Sequence, residues 1–348
     1  MSDPQEPAFQ PQEPAFQPQE PAFQPPPPPP TPPVEASAPR PTQLRPFAIG
    51  LFALGIIVLI AKLIGLTIDF WTPVALAITG AALFGLSFIR LPNLPDAEAP
   101  LSPVQKLLGI FFEPTRVFRN LRVHPRWVAA FLVIWVLTAV YSIAFVQRIT
   151  PERIVSHTIE KVGEMGSFAP PPATLEDMRT TQLEQLKNPV QKAGTVVKTF
   201  CGLLLWGAAI AGFLLLAALA FGGRINYWQA VSVYFYSAMP VIAIQKLLSL
   251  VILYIKAPED LHPVLGQDNL VQDNLGILFT PSSTPVLFVI ASFIGVMSFY
   301  GLWLRAKGLH QGGTRVGSGG AWGVAITFWV LSLIFVAILT SLFPGFIS

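Results

Sequence analysis

The chain has 348 residues, of which 52% are hydrophobic and only 12% are charged, about half the charged fraction of an ordinary soluble domain. Its apolar residues come in blocks, several of them near the roughly 20 residues that a helix needs to cross a bilayer, which predicts a polytopic membrane protein. The net charge of +3 is too small to indicate a nucleic-acid partner, and the single cysteine, Cys201, excludes an internal disulfide.

The first 46 residues are polar and rich in proline. The heptad PQEPAFQ occurs three times, at 4–10, 11–17 and 18–24, and a run of six prolines follows it. Proline at this density blocks both helix and sheet, so residues 1–46 are predicted to form a disordered, extended cytoplasmic tail. The phenylalanine of each heptad is either a weak multivalent binding point or part of a plain spacer.

Apolar segments long enough to be candidate membrane spans follow the tail. The seven segments cover residues 47–66, 73–89, 127–146, 199–221, 228–255, 285–304 and 322–345. A very short link joins the first two, which predicts a two-helix hairpin over 47–90, and the last five predict a membrane core over 127–345. The expected fold is therefore all-α: a polytopic membrane helix bundle of about seven transmembrane helices.

Lysine and arginine are distributed unequally among the connections between these segments. If the N-terminus lies inside, twelve basic residues fall on the cytoplasmic side, against Lys256 and the seven in the long loop 147–198. Among the short connections alone, for which the positive-inside rule holds best, the split is twelve to one. The rule predicts a cytoplasmic N-terminus and an extracytoplasmic C-terminus. The long loop itself is predicted to form a helical hairpin, with helices beginning at Pro151 and at Leu175.

A basic strip, FFEPTRVFRNLRVHPRW at 111–127, lies just before the third apolar segment. On a helical wheel Val117, Phe118 and Leu121 share one arc, and arginines occupy the opposite arc. This pattern predicts an interfacial amphipathic helix within the cytoplasmic segment 91–126, with its apolar face among acyl chains. The arginines are predicted to contact anionic lipid headgroups, and they are Arg116, Arg119, Arg122 and Arg126. The alternative is that they only obey the positive-inside rule.

Two polar residues, Gln245 and Lys246, interrupt the fifth apolar segment shortly after Pro240. A lysine at mid-bilayer is costly, and proline removes a helical hydrogen bond, so the three residues are a candidate intramembrane polar site at a kink. The lysine's partner there is expected to be Asp268 or Asp273. The alternative is a lysine that snorkels toward the outer interface, in which case its replacement by methionine is tolerated.

A glycine-rich stretch, LHQGGTRVGSGGAWG at 309–323, suggests a phosphate site because it carries an arginine. It lacks the Gly-Lys-Ser/Thr ending of a P-loop, so it is expected to be a flexible cytoplasmic turn. The four histidines are scattered through different loops, without metal-ligand spacing, and no catalytic constellation is evident in the sequence. No cofactor is predicted.

The strip 111–127 and several later motifs resemble the bacterial branch of the Yip domain family, the Ypt/Rab-interacting-protein-like membrane proteins. The later motifs are GGRINYWQAV at 222–231, YSAMP at 236–240, DNLGILF at 273–279 and FYGLWLRAKGLHQ at 299–311. Their order and spacing extend the resemblance over about 107–345. The Asp-Leu-Tyr-Gly-Pro tract of the eukaryotic members is absent from the sequence, so a small-GTPase partner is not implied.

The resemblance implies a five-helix core in a multi-pass protein of the bacterial inner membrane. With no catalytic constellation, the expected function is non-enzymatic, either membrane organisation or scaffolding of partners. The expected partners are the lipid bilayer with its anionic headgroups, and either other membrane proteins or further copies of the chain. The alternative function is a small-solute transporter or channel built around Pro240 and Lys246.

Overall fold

A computed structural model describes residues 41, 44–66, 68–92, 94, 99–164, 169–281 and 283–342. Regular structure within these ranges is helical throughout, apart from two isolated β-bridges, Arg224–Arg315 and Asn274–Gly295. The predicted all-α class is confirmed. The PQEPAFQ repeats, with the rest of the predicted tail up to residue 40, lie outside the described residues.

The described residues form thirteen α-helices. In chain order they are α1 Leu44–Leu63, α2 Trp71–Leu86, α3 Pro103–Phe112, α4 Pro114–Val123, α5 Val128–Ile149, α6 Pro151–Gly163, α7 Pro172–Lys187, α8 Pro189–Ala220, α9 Tyr227–Ile255, α10 Leu265–Asp268, α11 Pro285–Ser292, α12 Val296–Gly312 and α13 Ser318–Leu342. Two 3-10 helices, Pro258–Asp260 and Leu275–Leu278, lie in the connection between α9 and α11.

Five of these helices, α1, α5, α8, α9 and α13, are long and apolar enough to cross a membrane. They correspond to the first, third, fourth, fifth and seventh predicted segments. The second segment forms α2, which is apolar but has only 16 residues, about 24 Å of helix against about 30 Å of hydrocarbon. The prediction of a polytopic helix bundle is confirmed, and the lengths of its members vary more than the sequence indicated.

The sixth predicted segment, 285–304, is not one continuous helix. It is divided into α11 and α12 by a break at Phe293–Gly295, and α12 continues past the predicted end to Gly312. The break has a steric cause, because a Cβ built on Gly295 would lie 2.8 Å from the Cβ of Asn274. Glycine allows the earlier loop to approach this closely, and Leu275 then donates its backbone N–H to the Ile294 carbonyl at 3.0 Å.

The connections between the helices meet at two ends of the bundle. At one, which we call the basic end, the segment before α3 contacts the α8–α9 turn: Asn226 and Trp228 donate to the carbonyls of Arg90 and Ile89. The same turn bonds to the α12–α13 loop through the backbone of Arg224 and Arg315. Basic side chains are concentrated here, among them Arg45, Arg90, Lys106, Arg116, Arg119, Arg122, Arg126, Arg224, Arg305, Lys307 and Arg315.

The opposite end is held together by polar contacts between the remaining connections. Lys198 of α8 pairs with Asp69 of the α1–α2 turn at 2.5 Å. Burial acts to raise the pKa of Asp69, but the bonds from Lys198 and Thr72 and the charge of Lys198 together outweigh it, so this pKa lies below its ordinary value. Helices α6 and α7 pack together as the predicted hairpin, and Arg153 of α6 donates to the carbonyls of Glu259 and Leu261.

An aromatic cluster joins α5, α8 and α9 near the basic end. The ring of Trp127 stacks on Phe235 with 5.5 Å between centroids, and Phe131 makes edge contacts with Phe235 and Phe200 at 5.4 and 5.0 Å. Trp127, Phe131 and Phe235 are buried, and each aromatic pair contributes about 0.5–1.5 kcal/mol beyond its buried area. This cluster fixes the beginning of α5, and therefore the end of the basic strip, against α9.

Candidate functional site

Helix α3 lies just before the basic strip, overlaps it at its last two residues, and has an exposed apolar face. Ser102 and Gln105 form a capping box at its start, which satisfies the first free backbone N–H groups. The face toward the protein carries Lys106 and Ile110, both buried. The opposite face exposes Val104, Leu108 and Phe112, at 63%, 60% and 84% of their surface. A spacing of four residues places these three side chains in one row along the helix. We call this row the α3 stripe.

Lys106 is buried on the inner side of α3. Its side chain is 1% exposed, and Nζ donates to the main-chain carbonyl of His124 at 3.3 Å. Burial, followed by the nearby charge of Arg126, lowers the pKa of Lys106 to about 8. The lysine ties α3 to the end of α4, so the two helices form one unit at the basic end.

Helix α4 has the predicted division into an apolar and a basic face, but protein rather than lipid covers its apolar face. Val117, Phe118 and Leu121 are each at most 1% exposed and belong to the main core, where α4 packs against α9 and α12. A Cβ built on Gly308 of α12 would lie 2.9 Å from Cε1 of Phe118. The prediction that this face lies among acyl chains is therefore wrong. A protein groove and lipid tails are both apolar, and the periodicity does not distinguish them.

Two buried amides fix the position of α4. Asn120 is 1% exposed; its Nδ2 donates to the Ala99 carbonyl at 3.0 Å, and its Oδ1 accepts from the Leu101 backbone at 3.2 Å. Gln229 of α9 donates to the Arg122 carbonyl at 2.7 Å. Because a buried amide that loses its partner costs about 1–3 kcal/mol, these bonds hold the helix in one register.

The four arginines predicted to contact headgroups occupy different places. Arg116 is exposed and pairs with Glu113 at 3.1 Å, a surface pair of small energy. Arg126 is exposed beyond the end of α4. Arg119 and Arg122 line a cavity that the sequence did not predict, together with Arg315 of the α12–α13 loop.

This cavity, which we call the arginine cavity, has a volume of about 440 Å³. Its lining residues are Arg119, Arg122, His310, Gln311, Gly313, Thr314, Arg315, Val316 and Gly317. The side chain of Arg122 donates to the Thr314 carbonyl at 3.2 Å, and Nδ1 of His310 lies 2.8 Å from the Val316 carbonyl. The expectation of a flexible turn over 309–323 is wrong, because the stretch comprises the end of α12, a hydrogen-bonded loop and the start of α13.

The candidate intramembrane polar site lies on α9, which remains one helix through Pro240. Lys246 donates through Nζ to the main-chain carbonyl of Asp268, and Nζ also lies 4.6 Å from the centroid of the Tyr141 ring. The loop residue expected as its partner thus contacts it, through the backbone. Gln245 is half-buried. One turn further, Ser249 donates to Asn269 at 2.6 Å, so the loop lies along the end of α9.

The motif DNLGILF closes the break between α11 and α12. Asp273 accepts from the backbone N–H of Met297 through Oδ2 at 2.7 Å, and its carbonyl accepts from Val296 at 3.3 Å. A carboxylate at this position satisfies free N–H groups of the first turn and complements the dipole of α12. The motif therefore has a structural role in the interrupted sixth segment.

Two histidines that are distant in the sequence come together at the opposite end of the bundle. The rings of His157 and His262 lie 4.9 Å apart between centroids. Burial, and then the charge of His157, lower the pKa of His262. Among the described residues, no group of three His, Cys, Asp or Glu side chains is placed to hold a metal ion.

Three of the sequence motifs meet at the basic end. The strip 111–127 forms α4, GGRINYWQAV forms the α8–α9 turn and the start of α9, and FYGLWLRAKGLHQ forms α12. These three elements pack on one another around Phe118 and Gly308. No curated protein and no solved structure matches the chain. Residues 108–339 match the Yip1 domain, a match that covers most of the chain and begins inside α3, so this membrane protein belongs to the Yip1 domain family.

Proposed function

We propose that the protein organises the bilayer from its basic end, without catalysing a reaction. In this proposal the α3 stripe inserts into one leaflet, and the arginines of the adjoining α4 contact anionic headgroups. The observation that supports it most directly is the exposed row of Val104, Leu108 and Phe112 beside a helix whose outer face carries Arg116 and Arg119. An apolar row with a basic neighbour is typical of a helix lying in the membrane interface.

Burial of the α3 stripe and attraction of the arginines to headgroups each contribute measurably to the free energy of membrane binding. Full removal of a large apolar side chain from water contributes about 1.5–3 kcal/mol, so the α3 stripe supplies several kcal/mol. Each arginine near an anionic leaflet adds about 1 kcal/mol. Insertion of three side chains into a single leaflet displaces lipid on one side only, which gives the protein a preference for curved membrane, and the arginines add a preference for anionic lipid. Membrane-protein partners or further copies of the chain are alternatives for the same surface.

The test uses the full chain in vesicles of mixed neutral and anionic lipid. The variant Val104→Ser/Leu108→Ser/Phe112→Ser removes the α3 stripe, and the matched control Val104→Leu/Leu108→Met/Phe112→Leu keeps it apolar. We expect wild type and control to change vesicle shape in electron cryomicroscopy, and the serine variant, which keeps the arginines of α4, to lose this change. If the serine variant acts like wild type, the proposal fails.

The orientation belongs to the same proposal. We place the basic end and the N-terminus in the cytoplasm and the C-terminus outside, in a bacterial inner membrane, because the basic residues are concentrated at that end. In a Cys201→Ser background, Arg116→Cys should be labelled only after the membrane is permeabilised, and Arg179→Cys of α7 should be labelled in intact cells. The reverse pattern would contradict this orientation.

The alternative of a small-solute transporter or channel is favoured by one observation, the interrupted sixth segment, since transporters bind solutes at broken helices. The polar contact of Lys246 with the loop before this break adds to it. Solute flux into proteoliposomes separates the two functions. Flux that is lost in Lys246→Met but kept in the α3 serine variant favours the transporter, and no flux with wild type favours the organiser.

A further inference from the structure

We propose that the arginine cavity is a binding site for a phosphomonoester, the dianionic phosphate found on certain lipid headgroups and on small soluble metabolites. The inference deepens the proposed function and rests on it, because it names the chemical class that the basic end recognises. The inference also goes beyond a general attraction to anionic lipid, because a cavity of defined shape and charge can distinguish a phosphomonoester from a phosphodiester.

The permanently charged side chains that line the cavity are its three arginines, so the cavity is positively charged. Arg119 and Arg122 come from α4, and Arg315 comes from the α12–α13 loop, so arginines from two distant parts of the chain line the same cavity. Across the described residues, no carboxylate is within ion-pair distance of any of these three. Like charges gathered in one place are costly unless an anion joins them. Arginine is also the side chain whose planar fork matches the oxygens of phosphate.

The walls of the cavity are fixed before any ligand binds. The loop 313–317 is held by backbone bonds to the α8–α9 turn. Thr314 donates its backbone N–H to the Arg224 carbonyl at 2.9 Å, and Arg224 donates its own to the Arg315 carbonyl at 2.9 Å. On the other wall, Gln229 holds the carbonyl of Arg122. Because main-chain atoms hold the loop in place, the guanidinium of Arg315 is not needed for this and is available to a ligand. A preorganised site of this kind loses little entropy when it binds.

A second feature also points to an anion. Helix α13 spans 25 residues and begins at Ser318, directly after the lining residue Gly317. The first N–H groups of a helix are without partners in the helix itself and carry a partial positive charge, which favours phosphate at this place. The arginines and the start of this helix therefore contribute electrostatic potential of the same sign to one cavity.

The size of the cavity favours a phosphate attached to a larger group. Its volume of about 440 Å³ lies in the range of small-molecule sites, roughly 300–1,000 Å³, and exceeds what one phosphate ion fills. Three guanidinium groups also match the two charges of a phosphomonoester better than the single charge of a phosphodiester. Phosphatidic acid and inorganic phosphate carry the first type of charge, whereas phosphatidylglycerol carries only the second.

The experiment uses the full chain in nanodiscs of neutral phosphatidylcholine, titrated by calorimetry with short-chain phosphatidic acid, short-chain phosphatidylglycerol and inorganic phosphate. The test variant is Arg315→Gln, with Arg119→Gln as a second. The control is Arg90→Gln, which removes an exposed arginine of the same end that does not line the cavity. Thermal unfolding of each variant verifies that it is folded.

We expect phosphatidic acid to bind at least about tenfold more tightly than phosphatidylglycerol, and each test variant to weaken it about tenfold or more, the effect of losing one charge-assisted bond. Arg90→Gln should stay within about twofold of wild type. If inorganic phosphate binds and is weakened in the same variants, a soluble source suffices; if only phosphatidic acid binds, the source is a lipid. Equal binding of the two lipids, or unchanged binding in both test variants, overturns the inference.

Failure of this inference and failure of the proposed function give different results. If the cavity binds no phosphomonoester, the arginine variants leave lipid titrations unchanged, while the α3 serine variant still abolishes the change in vesicle shape. If the proposed function is wrong, the serine variant acts like wild type in vesicles, and the titration of the cavity is unaffected by that result.

Discussion

Substitution of Gly308 by alanine tests how tightly α4 is seated on α12. A Cβ at this position would lie 2.8 Å from Cγ1 of Val233 and 2.9 Å from Cε1 of Phe118, so the neighbouring side chains must shift. Such overpacking costs about 1–3 kcal/mol, against a gain of about 1 kcal/mol from replacing glycine within a helix. We therefore expect Gly308→Ala to lower the free energy of unfolding by up to about 2 kcal/mol.

The chain offers a matched control on the same helix. A Cβ built on Gly301 would meet its nearest neighbour, Val241, at 3.4 Å, which is an ordinary contact, so Gly301→Ala should be neutral or stabilising. Phe118→Ala alone should cost about 3–5 kcal/mol, since the ring is fully buried. In the double variant Phe118→Ala/Gly308→Ala the methyl group enters space that the ring has left, and the combined loss should be smaller than the sum by about 0.5–3 kcal/mol.

The measurement is denaturant unfolding of the detergent-solubilised protein, followed by circular dichroism, together with proteolysis of α4 and the titration of phosphatidic acid. Loosening of α4 moves Arg119 and Arg122, so the variants that lose stability should also bind phosphate more weakly. Stability of Gly308→Ala equal to that of Gly301→Ala, or strict additivity in the double variant, would refute this packing argument.

Three further predictions concern single side chains. Lys106 has a pKa lowered to about 8 by burial and a higher pKa when unfolded, so the unfolded state binds more protons and stability should rise from about pH 8 to about pH 10. Lys106→Met removes the titrating group and should abolish this rise, as thermal unfolding across this pH range would measure. Asp273→Ala should lower stability by about 0.5–2 kcal/mol through loss of the bond to Met297, and Asp273→Asn should keep part of it. Lys246→Met should still fold and insert as a multi-pass protein, although the lost bond to the Asp268 carbonyl should lower the free energy of unfolding by about 1.5–3 kcal/mol. A variant that does not fold would contradict the prediction that this substitution is tolerated.

The features that depend on short stretches of sequence were predictable. Blocks of apolar residues located the membrane-spanning helices, and the period of apolar and basic residues in 114–124 located the two faces of α4. Pro151 marked the start of α6 because proline fits the first turn of a helix. In each case the physical signal lies within a few turns of chain.

The features that depend on distant contacts were not predictable from one sequence. The α3 stripe is hidden because VQKLLGIFF is apolar on nearly every side, and only packing of Lys106 and Ile110 decides which face is left exposed. The arginine cavity joins Arg122 to Thr314, which is 192 residues away in the chain. The only feature near the break in the sixth segment that indicates it is Gly295. A glycine in an apolar segment is equally typical of close packing between unbroken helices, so it does not predict a break.

One helix connects the two ends of the bundle. The N-terminus of α12 is held by Asp273 at the end of the bundle opposite the basic end, and its C-terminus contributes His310 and Gln311 to the arginine cavity. With 17 residues, the helix measures about 25 Å, and it is stiff along its axis. It therefore connects the two ends mechanically: an axial displacement of α12 at the arginine cavity would also displace its first turn and the loop that is bonded to that turn through Asp273.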